Sequence, residues 1–125
     1  MSSYRDLIAW QRAMSLAEDV YFVTRSFPAD ERFGLTAQLR RCAVSVASDI
    51  AEGQGRLTTK DWQHFLAQAR GSVQEMETQL LLAARLHAAD EKTILQVVDK
   101  AEEVRKIING LLRATSTRQP RRDFT

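Results

Sequence analysis

Charged and hydroxyl-bearing side chains recur at steps of three, four and seven residues along two segments of the sequence, one on each side of Gly53. Such steps place side chains in one row along a helix. Carboxylates gathered in a cleft can act as general acid and base when their pKa values are shifted. Fully paired, the same groups would instead fix how helices or subunits align, and we favour that structural interpretation. The predicted polar network comprises Arg41, Ser45, Asp49, Glu52, Ser72 and Glu75, with Arg70 available from the opposite flank of its helix.

Few residues in the chain suit a metal ion or a nucleophile. There are two histidines and one cysteine, and only Asp61-x-x-His64 approaches the Glu-x-x-His spacing of di-iron bundles. Cys42 lies within an apolar row, which predicts a buried thiol of low reactivity. We therefore expect no metal, no cofactor, no small-molecule ligand and no catalytic residue.

The positive charge of the chain is concentrated near its C-terminus. The formal net charge is +2, yet residues 1–112 alone sum to −1 and residues 113–125 to +3. A duplex-binding domain usually carries a basic patch on its body, so composition supports nucleic-acid binding only weakly. Arginine and lysine at the start of the third helix, together with the tail, are the available contacts. They are Arg56, Lys60, Arg118, Arg121 and Arg122.

Long segments with apolar residues three and four positions apart, interrupted by only two prolines and five glycines, predict an all-α fold. Short connections favour an antiparallel, up-and-down four-helix bundle. Ser3, Thr58 and Asp90 can cap helix N-termini, and Phe27-Pro28 and Gly53-Gln54-Gly55 can end helices. The predicted helices span residues 4–26, 35–52, 58–86 and 90–115, in a domain of residues 1–116 followed by a basic tail, 117–125.

The first helix carries two apolar stripes about 120° apart, at roughly 100° per residue. We assign one stripe to the intrachain core: Leu7, Trp10, Met14, Ala17, Tyr21 and Thr24. The other could extend the intrachain core, because a bundle helix touches two neighbours, but apolar residues on so many sides favour contact between copies. This predicted oligomer interface comprises Ala9, Ala13, Leu16, Val20, Val23 and Phe27.

The sequence also indicates where the protein resides. One cysteine excludes an intrachain disulfide, and the N-terminus lacks the apolar run of an export signal. No stretch approaches the roughly 18 consecutive apolar residues of a membrane span. We expect a cytoplasmic protein that has no membrane partner.

Four blocks of the sequence have a recognisable pattern, and they are Tyr4-Arg5-Asp6-Leu7-x-x-Trp10-Gln11-x-Ala13-Met14, Phe27-Pro28-x-x-Glu31-Arg32-Phe33-Gly34-Leu35-Thr36-x-Gln38-Leu39-Arg40-Arg41, Ser45-x-x-Ser48-Asp49-Ile50-Ala51-Glu52-Gly53 and Ala69-Arg70-Gly71-Ser72-x-x-Glu75. These blocks resemble the four-helix bundle family of 23S ribosomal RNA intervening sequences, related to the accessory protein of diversity-generating retroelements. The resemblance covers about residues 4–87, departs at Asp49, where the family usually has Asn, and implies a homopentameric ring whose molecular function is not established. The accessory proteins are strongly basic and bind nucleic acid, unlike the near-neutral body here.

Three functional hypotheses follow from these observations. The first is a non-enzymatic, homo-oligomeric structural or adaptor protein that docks ribonucleoprotein partners. The second is direct, sequence-nonspecific RNA or DNA binding through the rim and tail arginines. The third is an enzyme, which would need a pocket lined by Asp49, Glu52, Arg70 and Glu75.

Overall fold

The computed structural model describes residues 3–118, with side chains described as far as Ser116. Within that range the chain contains four α-helices and no strands, so the predicted all-α class is confirmed. The helices are α1, Ile8–Thr24; α2, Leu35–Gln54; α3, Thr59–Arg85; and α4, Glu91–Arg118. Short 3-10 turns, Tyr4–Asp6 and Ala29–Glu31, precede α1 and α2. Of the predicted basic tail, residues 117 and 118 continue α4, and residues 119–125 lie outside the described chain.

Side-chain caps determine where three of the helical segments begin. Ser3 and Asp6 form a capping box, but it closes only a 3-10 turn, because Leu7 adopts an extended conformation. The first α-helix therefore begins at Ile8, whereas the sequence predicted a start near residue 4. Thr58 Oγ1 accepts the Asp61 amide of α3 at 3.1 Å, and Asp90 Oδ2 accepts the Thr93 amide of α4 at 3.0 Å.

The turn between α3 and α4 uses a left-handed residue. His87 has φ of 56°, and the Ala88 amide donates to the Ala83 carbonyl at 3.0 Å, which is the Schellman arrangement that ends a helix. The turn is short, so α3 and α4 pack side by side in opposite directions. Each of α1, α2, α3 and α4 packs against two neighbours, and α1 against α4 closes the bundle.

The core lies along the bundle axis and draws on all four helices. It contains Leu39, Cys42, Val46 and Ile50 from α2 and Ile94, Val97, Ala101, Val104 and Ile108 from α4, which recur at the three- and four-residue apolar spacing of those helices. The α3 contribution is Leu66, Ala69, Val73, Met76, Leu80, Ala83 and Ala84, whereas Trp62 and Phe65 are only half-buried. No helix within residues 3–118 is long and apolar enough to cross a membrane.

The assignment of the two α1 stripes was wrong. The residues predicted for contact between copies are 0 to 7% exposed within one chain and form the α1 part of the core: Ala9, Ala13, Leu16, Val20, Val23 and Phe27. Of the stripe assigned to the core, only Thr24 is buried; Leu7, Trp10, Met14, Ala17 and Tyr21 lie at the surface or half-buried, and we call these five residues the outer stripe. The inward stripe is almost fully buried, whereas Leu7, Trp10 and Ala17 of the outer stripe pack against the edge of the core and Met14 and Tyr21 remain exposed.

One glycine permits an equally close approach at the end of α2. A Cβ atom on Gly53 would lie 2.6 Å from the Phe65 Cβ and 2.8 Å from the Trp62 ring. These distances are shorter than van der Waals contact, so α2 and α3 can meet this tightly only because position 53 has no side chain. The glycine thereby holds the start of α3 against the end of α2.

Candidate functional site

The predicted polar rows of α2 and α3 lie beside each other along the seam between these two helices. The Cys42 Sγ donates to the Gln79 Oε1 at 3.8 Å, and the Gln79 Nε2 donates to the Glu75 Oε2 at 3.5 Å. Further along, Gln68 and His64 are joined at 3.2 Å between their Nε2 atoms. Of these contacts only the Cys42–Gln79 hydrogen bond joins α2 to α3, whereas the other two lie within α3; we call this region the α2–α3 polar seam.

The ends of the seam contain the charged groups. Arg41 is exposed and donates to the Gln38 carboxamide one turn earlier. The Arg56 Nη2 donates to the Glu52 Oε2 at 2.7 Å, within one helical turn. Ser45 and Ser72 lie half-buried between these ends. The seam therefore includes the six residues of the predicted network other than Arg70.

The Arg70 side chain extends to the opposite flank of α3. Its Nη1 donates to the Asn109 Oδ1 of α4 at 3.2 Å. The enzyme hypothesis requires Arg70 in one pocket with Asp49, Glu52 and Glu75, and this hydrogen bond directs the Arg70 side chain towards α4 instead. The pocket required by the enzyme hypothesis is not assembled in that form.

Two groups in the seam have shifted protonation. Burial and the neighbouring Glu75 carboxylate raise the pKa of the Cys42 thiol to about 11. Burial and the nearby Glu52 carboxylate raise the pKa of Asp49, while His64 opposes that shift. The thiol stays protonated at neutral pH and is a poor nucleophile. Asp49 pays an electrostatic cost when it ionises.

The chemistry of a metal centre is not assembled here. Among residues 3–118, no three His, Cys, Asp or Glu side chains form a group that could hold an ion. Every buried side-chain nitrogen or oxygen in the same range has a hydrogen-bond partner. A cavity of about 460 Å³ lies between α1 and α4, lined in part by Asp19, Phe22 and Val97, and is remote from the polar seam. The seam can align helices, and its described contacts are internal to the chain.

Comparisons with known proteins identify the family. A family model described as 23S rRNA-intervening sequence protein matches residues 5–110. The chain belongs to this family. A crystal structure titled as a protein with unknown function from the S23 ribosomal protein family of Bacteroides thetaiotaomicron matches with a TM-score of 0.78 and 16% identity. The match covers 85% of this chain and 96% of that one, and it shows the shared fold. No curated protein sequence matches significantly.

In this chain, the cationic side chains predicted to contact nucleic acid are partly occupied by other partners. The Arg56 guanidinium is paired with Glu52 and also lies 4.9 Å from the centre of the Phe65 ring. Lys60 is exposed in the first turn of α3, where Asp61 and the Thr58 cap already supply negative partners for the helix end. The remaining predicted contacts, the side chains of Arg118, Arg121 and Arg122, lie outside the described residues.

An ion pair between α3 and α4 was not predicted from the sequence. The Arg105 Nε donates to both carboxylate oxygens of Glu77, at 2.8 and 3.1 Å, and this contact raises the pKa of Arg105. The two residues are 28 positions apart, so no local spacing rule connects them. Together with Arg70 and Asn109, the pair fixes the alignment of α3 against α4.

Replacing Asp49 by asparagine, the residue that the family usually has at this position, should stabilise the protein near pH 7. The pKa of Asp49 is higher in the folded protein than in the unfolded chain, so its neutral carboxyl favours folding at low pH. This contribution is lost as the pH rises through the pKa of the unfolded chain and then that of the folded protein. Asparagine stays neutral, so Asp49→Asn should gain less than about 1 kcal/mol at pH 7, where partial solvent access screens the charge, and almost nothing near pH 3. Urea unfolding at both pH values measures the difference.

Asp90→Asn provides a control of opposite sign. Hydrogen bonds from the Thr93 amide and hydroxyl lower the pKa of Asp90, so its contribution is present near neutral pH and lost in acid. This variant should be less stable than the parent at pH 7 and should approach it at low pH. Equal pH profiles for both variants would contradict the assignment at Asp49.

Proposed function

We propose that this protein is a non-enzymatic, homo-oligomeric structural or adaptor protein of the cytoplasm, which docks ribonucleoprotein partners. The observation that carries the proposal is the outer stripe. Its five apolar residues, spaced three and four apart, run from Leu7 along one side of α1; Met14 and Tyr21 are exposed, and Leu7, Trp10 and Ala17 are only partly covered by the core. Such a stripe on one chain favours burial against another protein surface.

The outer stripe has the properties of a contact surface. Met14 is 41% exposed and Tyr21 is 39% exposed. The Arg40 guanidinium lies 4.6 Å from the centre of the Tyr21 ring and donates to the Thr24 hydroxyl at 2.9 Å, so the ring is held in place. Ordered aromatic side chains lose little conformational freedom on binding. A second copy of the chain is the proposed partner, and five copies in a ring follow from the family resemblance.

The polar seam supports a structural rather than a catalytic role. Its only thiol is buried and protonated, and Glu52 is paired with Arg56. Catalysis by such groups usually requires a nucleophile and base within hydrogen-bond reach of a substrate pocket. The α2–α3 polar seam instead supplies contacts between helices, which keeps the outer stripe on a rigid support.

Replacing Met14 by glutamate should convert the oligomer to a monomer. A charge at the centre of the outer stripe would be buried without a partner in the assembly, which costs several kcal/mol per site by the typical penalty for an unpaired buried charge. Native mass spectrometry measures the distribution of assembly sizes. Circular dichroism should show that helix content is unchanged, because Met14 is partly exposed in one chain.

Ile8→Glu is the matched control. Ile8 lies on the same helix and is 54% exposed, but it is about 140° around α1 from the outer stripe at roughly 100° per residue. This variant should keep the assembly size of the parent. Assemblies that survive Met14→Glu, or a parent chain that is monomeric, would contradict the proposal.

A second candidate function is direct nucleic-acid binding through Arg56, Lys60 and the tail arginines. The family description, which refers to 23S rRNA, favours an RNA-related role. The +3 charge of residues 113–125 provides a sequence-independent attraction for phosphates. The same native mass spectra distinguish the two functions, because RNA that remains bound to monomeric Met14→Glu supports direct binding, whereas RNA-free assemblies support the adaptor.

A further inference from the structure

The connection between α1 and α2 presents an aromatic side chain to solvent. Phe33 is 86% exposed, although hydrogen bonds hold the backbone on both sides of it. The Arg32 amide donates to the Ala29 carbonyl at 3.2 Å. The Gly34 amide donates to the Glu31 carbonyl at 3.0 Å. An aromatic side chain on an ordered turn loses little conformational freedom on binding, and such side chains are common anchors at protein interfaces.

A cleft that can receive this side chain lies at the same end of the bundle. It is the cavity of about 460 Å³ between α1 and α4, which is open to solvent, and we call it the α1–α4 cleft. Its apolar lining consists of Val23 and Val97, which are buried, and Phe22, which is 67% exposed. Pockets that bind small groups have volumes of about 300 to 1,000 Å³, so the cleft has room for a phenyl ring.

The charges on the two surfaces are complementary. The remaining lining of the cleft is polar or charged and consists of Asp19, Thr93, Gln96, Asp99 and Lys100. The Lys100 Nζ donates to the Asp19 Oδ2 at 2.7 Å, so these two charges are paired within one chain. Within residues 3–118, neither the Asp99 carboxylate nor the Arg32 guanidinium takes part in an ion pair. The guanidinium lies 5.2 Å from the centre of the Phe33 ring, so a cation accompanies the aromatic side chain.

We propose that Phe33 of one copy occupies the α1–α4 cleft of the next copy. Its side chain contacts Phe22 and Val97, and the Arg32 guanidinium lies beside the Asp99 carboxylate. This inference rests on the proposed homo-oligomer and adds to it a second pair of surfaces, distinct from the outer stripe. The occupant is a second copy because the protrusion carries both the aromatic group and the charge that the cleft can accommodate.

The positions of the two surfaces suit an assembly closed by rotation. Copies related by a rotation axis contact each other at the same height along that axis, so bundles that stand side by side must carry protrusion and cleft at the same end. Phe22 and Val23 lie in the last turn of α1, and the turn with Phe33 connects α1 to α2. Phe33 does not line the cleft of its own chain, so each copy offers one protrusion and one cleft to its neighbours.

Substitutions on each surface test the contact in the full-length chain. Phe33→Asp and Phe22→Lys should each weaken self-association by roughly 10- to 100-fold, because each removes an aromatic side chain from the contact and adds a charge that repels its counterpart. Sedimentation velocity over a range of concentrations measures the change. Both side chains are largely exposed in one chain, so circular dichroism should show unchanged helix content. Leu95→Lys is the control, because Leu95 is an exposed residue of α4 that does not line the cleft.

A mixture of the two variants tests whether the surfaces contact each other. The Phe22→Lys chain keeps an intact Phe33, and the Phe33→Asp chain keeps an intact cleft. An equimolar mixture should therefore form heterodimers at concentrations at which each variant alone is monomeric. Native mass spectrometry identifies the heterodimer by its mass. A mixture that remains monomeric overturns the inference.

The outcomes separate this inference from the proposed function. An assembled parent whose association is unchanged by Phe33→Asp or by Phe22→Lys overturns the inference and leaves the outer stripe as the contact. Association that is weakened by both substitutions but survives Met14→Glu supports the inference and contradicts the role of the outer stripe. A monomeric parent contradicts both.

Discussion

Replacing Leu16 by alanine should lower the free energy of unfolding by about 2 to 5 kcal/mol, the range for deleting a buried leucine side chain from a core. Leu16 is 1% exposed in a single chain, in the centre of α1. Three carbon atoms would be removed from a packed environment that can collapse only partly around the gap. Urea unfolding followed by circular dichroism measures this loss.

Met14→Ala is the matched comparison on the same helix. Met14 belongs to the outer stripe, so its truncation should change the stability of a single chain by only about 0.5 kcal/mol, as for other surface positions. The loss at Leu16 should be independent of protein concentration, because that residue packs inside one chain. A monomeric Leu16→Ala variant that is as stable as the parent chain would indicate that Leu16 packs between copies. That result would contradict the observed core.

Replacing Gly53 by alanine should cost about 1 to 3 kcal/mol, the usual range for inserting a methyl group into a close-packed contact. The new Cβ would collide with the Phe65 Cβ and the Trp62 ring, so α2 and α3 would have to separate. Alanine is otherwise the better helix former, which makes a loss at this position diagnostic of the close approach. Thermal unfolding measures it.

Gly71→Ala should have the opposite effect. Gly71 lies within α3, and a Cβ there would meet nothing within 4 Å. The substitution should stabilise the protein by about 0.5 to 1 kcal/mol, the helix-interior difference between glycine and alanine. The contrast between the two glycines is the test. Equal effects of the two substitutions would show that position 53 does not lie in close contact with Phe65 and Trp62.

The spacing of apolar residues predicted most of the fold. In α2 and α4, one apolar row dominates, so spacing identified Leu39, Val46, Ala101 and Ile108 as core residues. Capping residues also located the start of α3 at Thr58. These features depend on local sequence and helical geometry, which is why the pattern predicts them.

The inward face of α1 could not be chosen on the same grounds. Both of its stripes are apolar and have similar spacing, so the period is satisfied by either. The structure buries Ala13 and Leu16 almost completely, whereas Trp10 is half-buried and Met14 is exposed. That choice depends on the neighbouring helices rather than on α1 itself.

The candidate site shows the same division between local and long-range information. The polar rows of α2 and α3 were predictable because each follows a helical repeat. The partners of Arg70 and Arg105 were not, since Asn109 and Glu77 are brought close only by the alignment of α3 and α4. The partner that a long side chain contacts depends on how the helices pack against each other. The spacing of residues within one helix does not contain that information.

The buried cysteine makes the protein convenient for site-specific chemistry. Cys42 has a pKa of about 11 and is enclosed by the core, so maleimide reagents at neutral pH should leave it unmodified in the folded state. A fluorophore or spin probe attached to a cysteine introduced on the surface would then report from one known position. The wild-type chain thus provides a silent background for distance measurements within and between subunits.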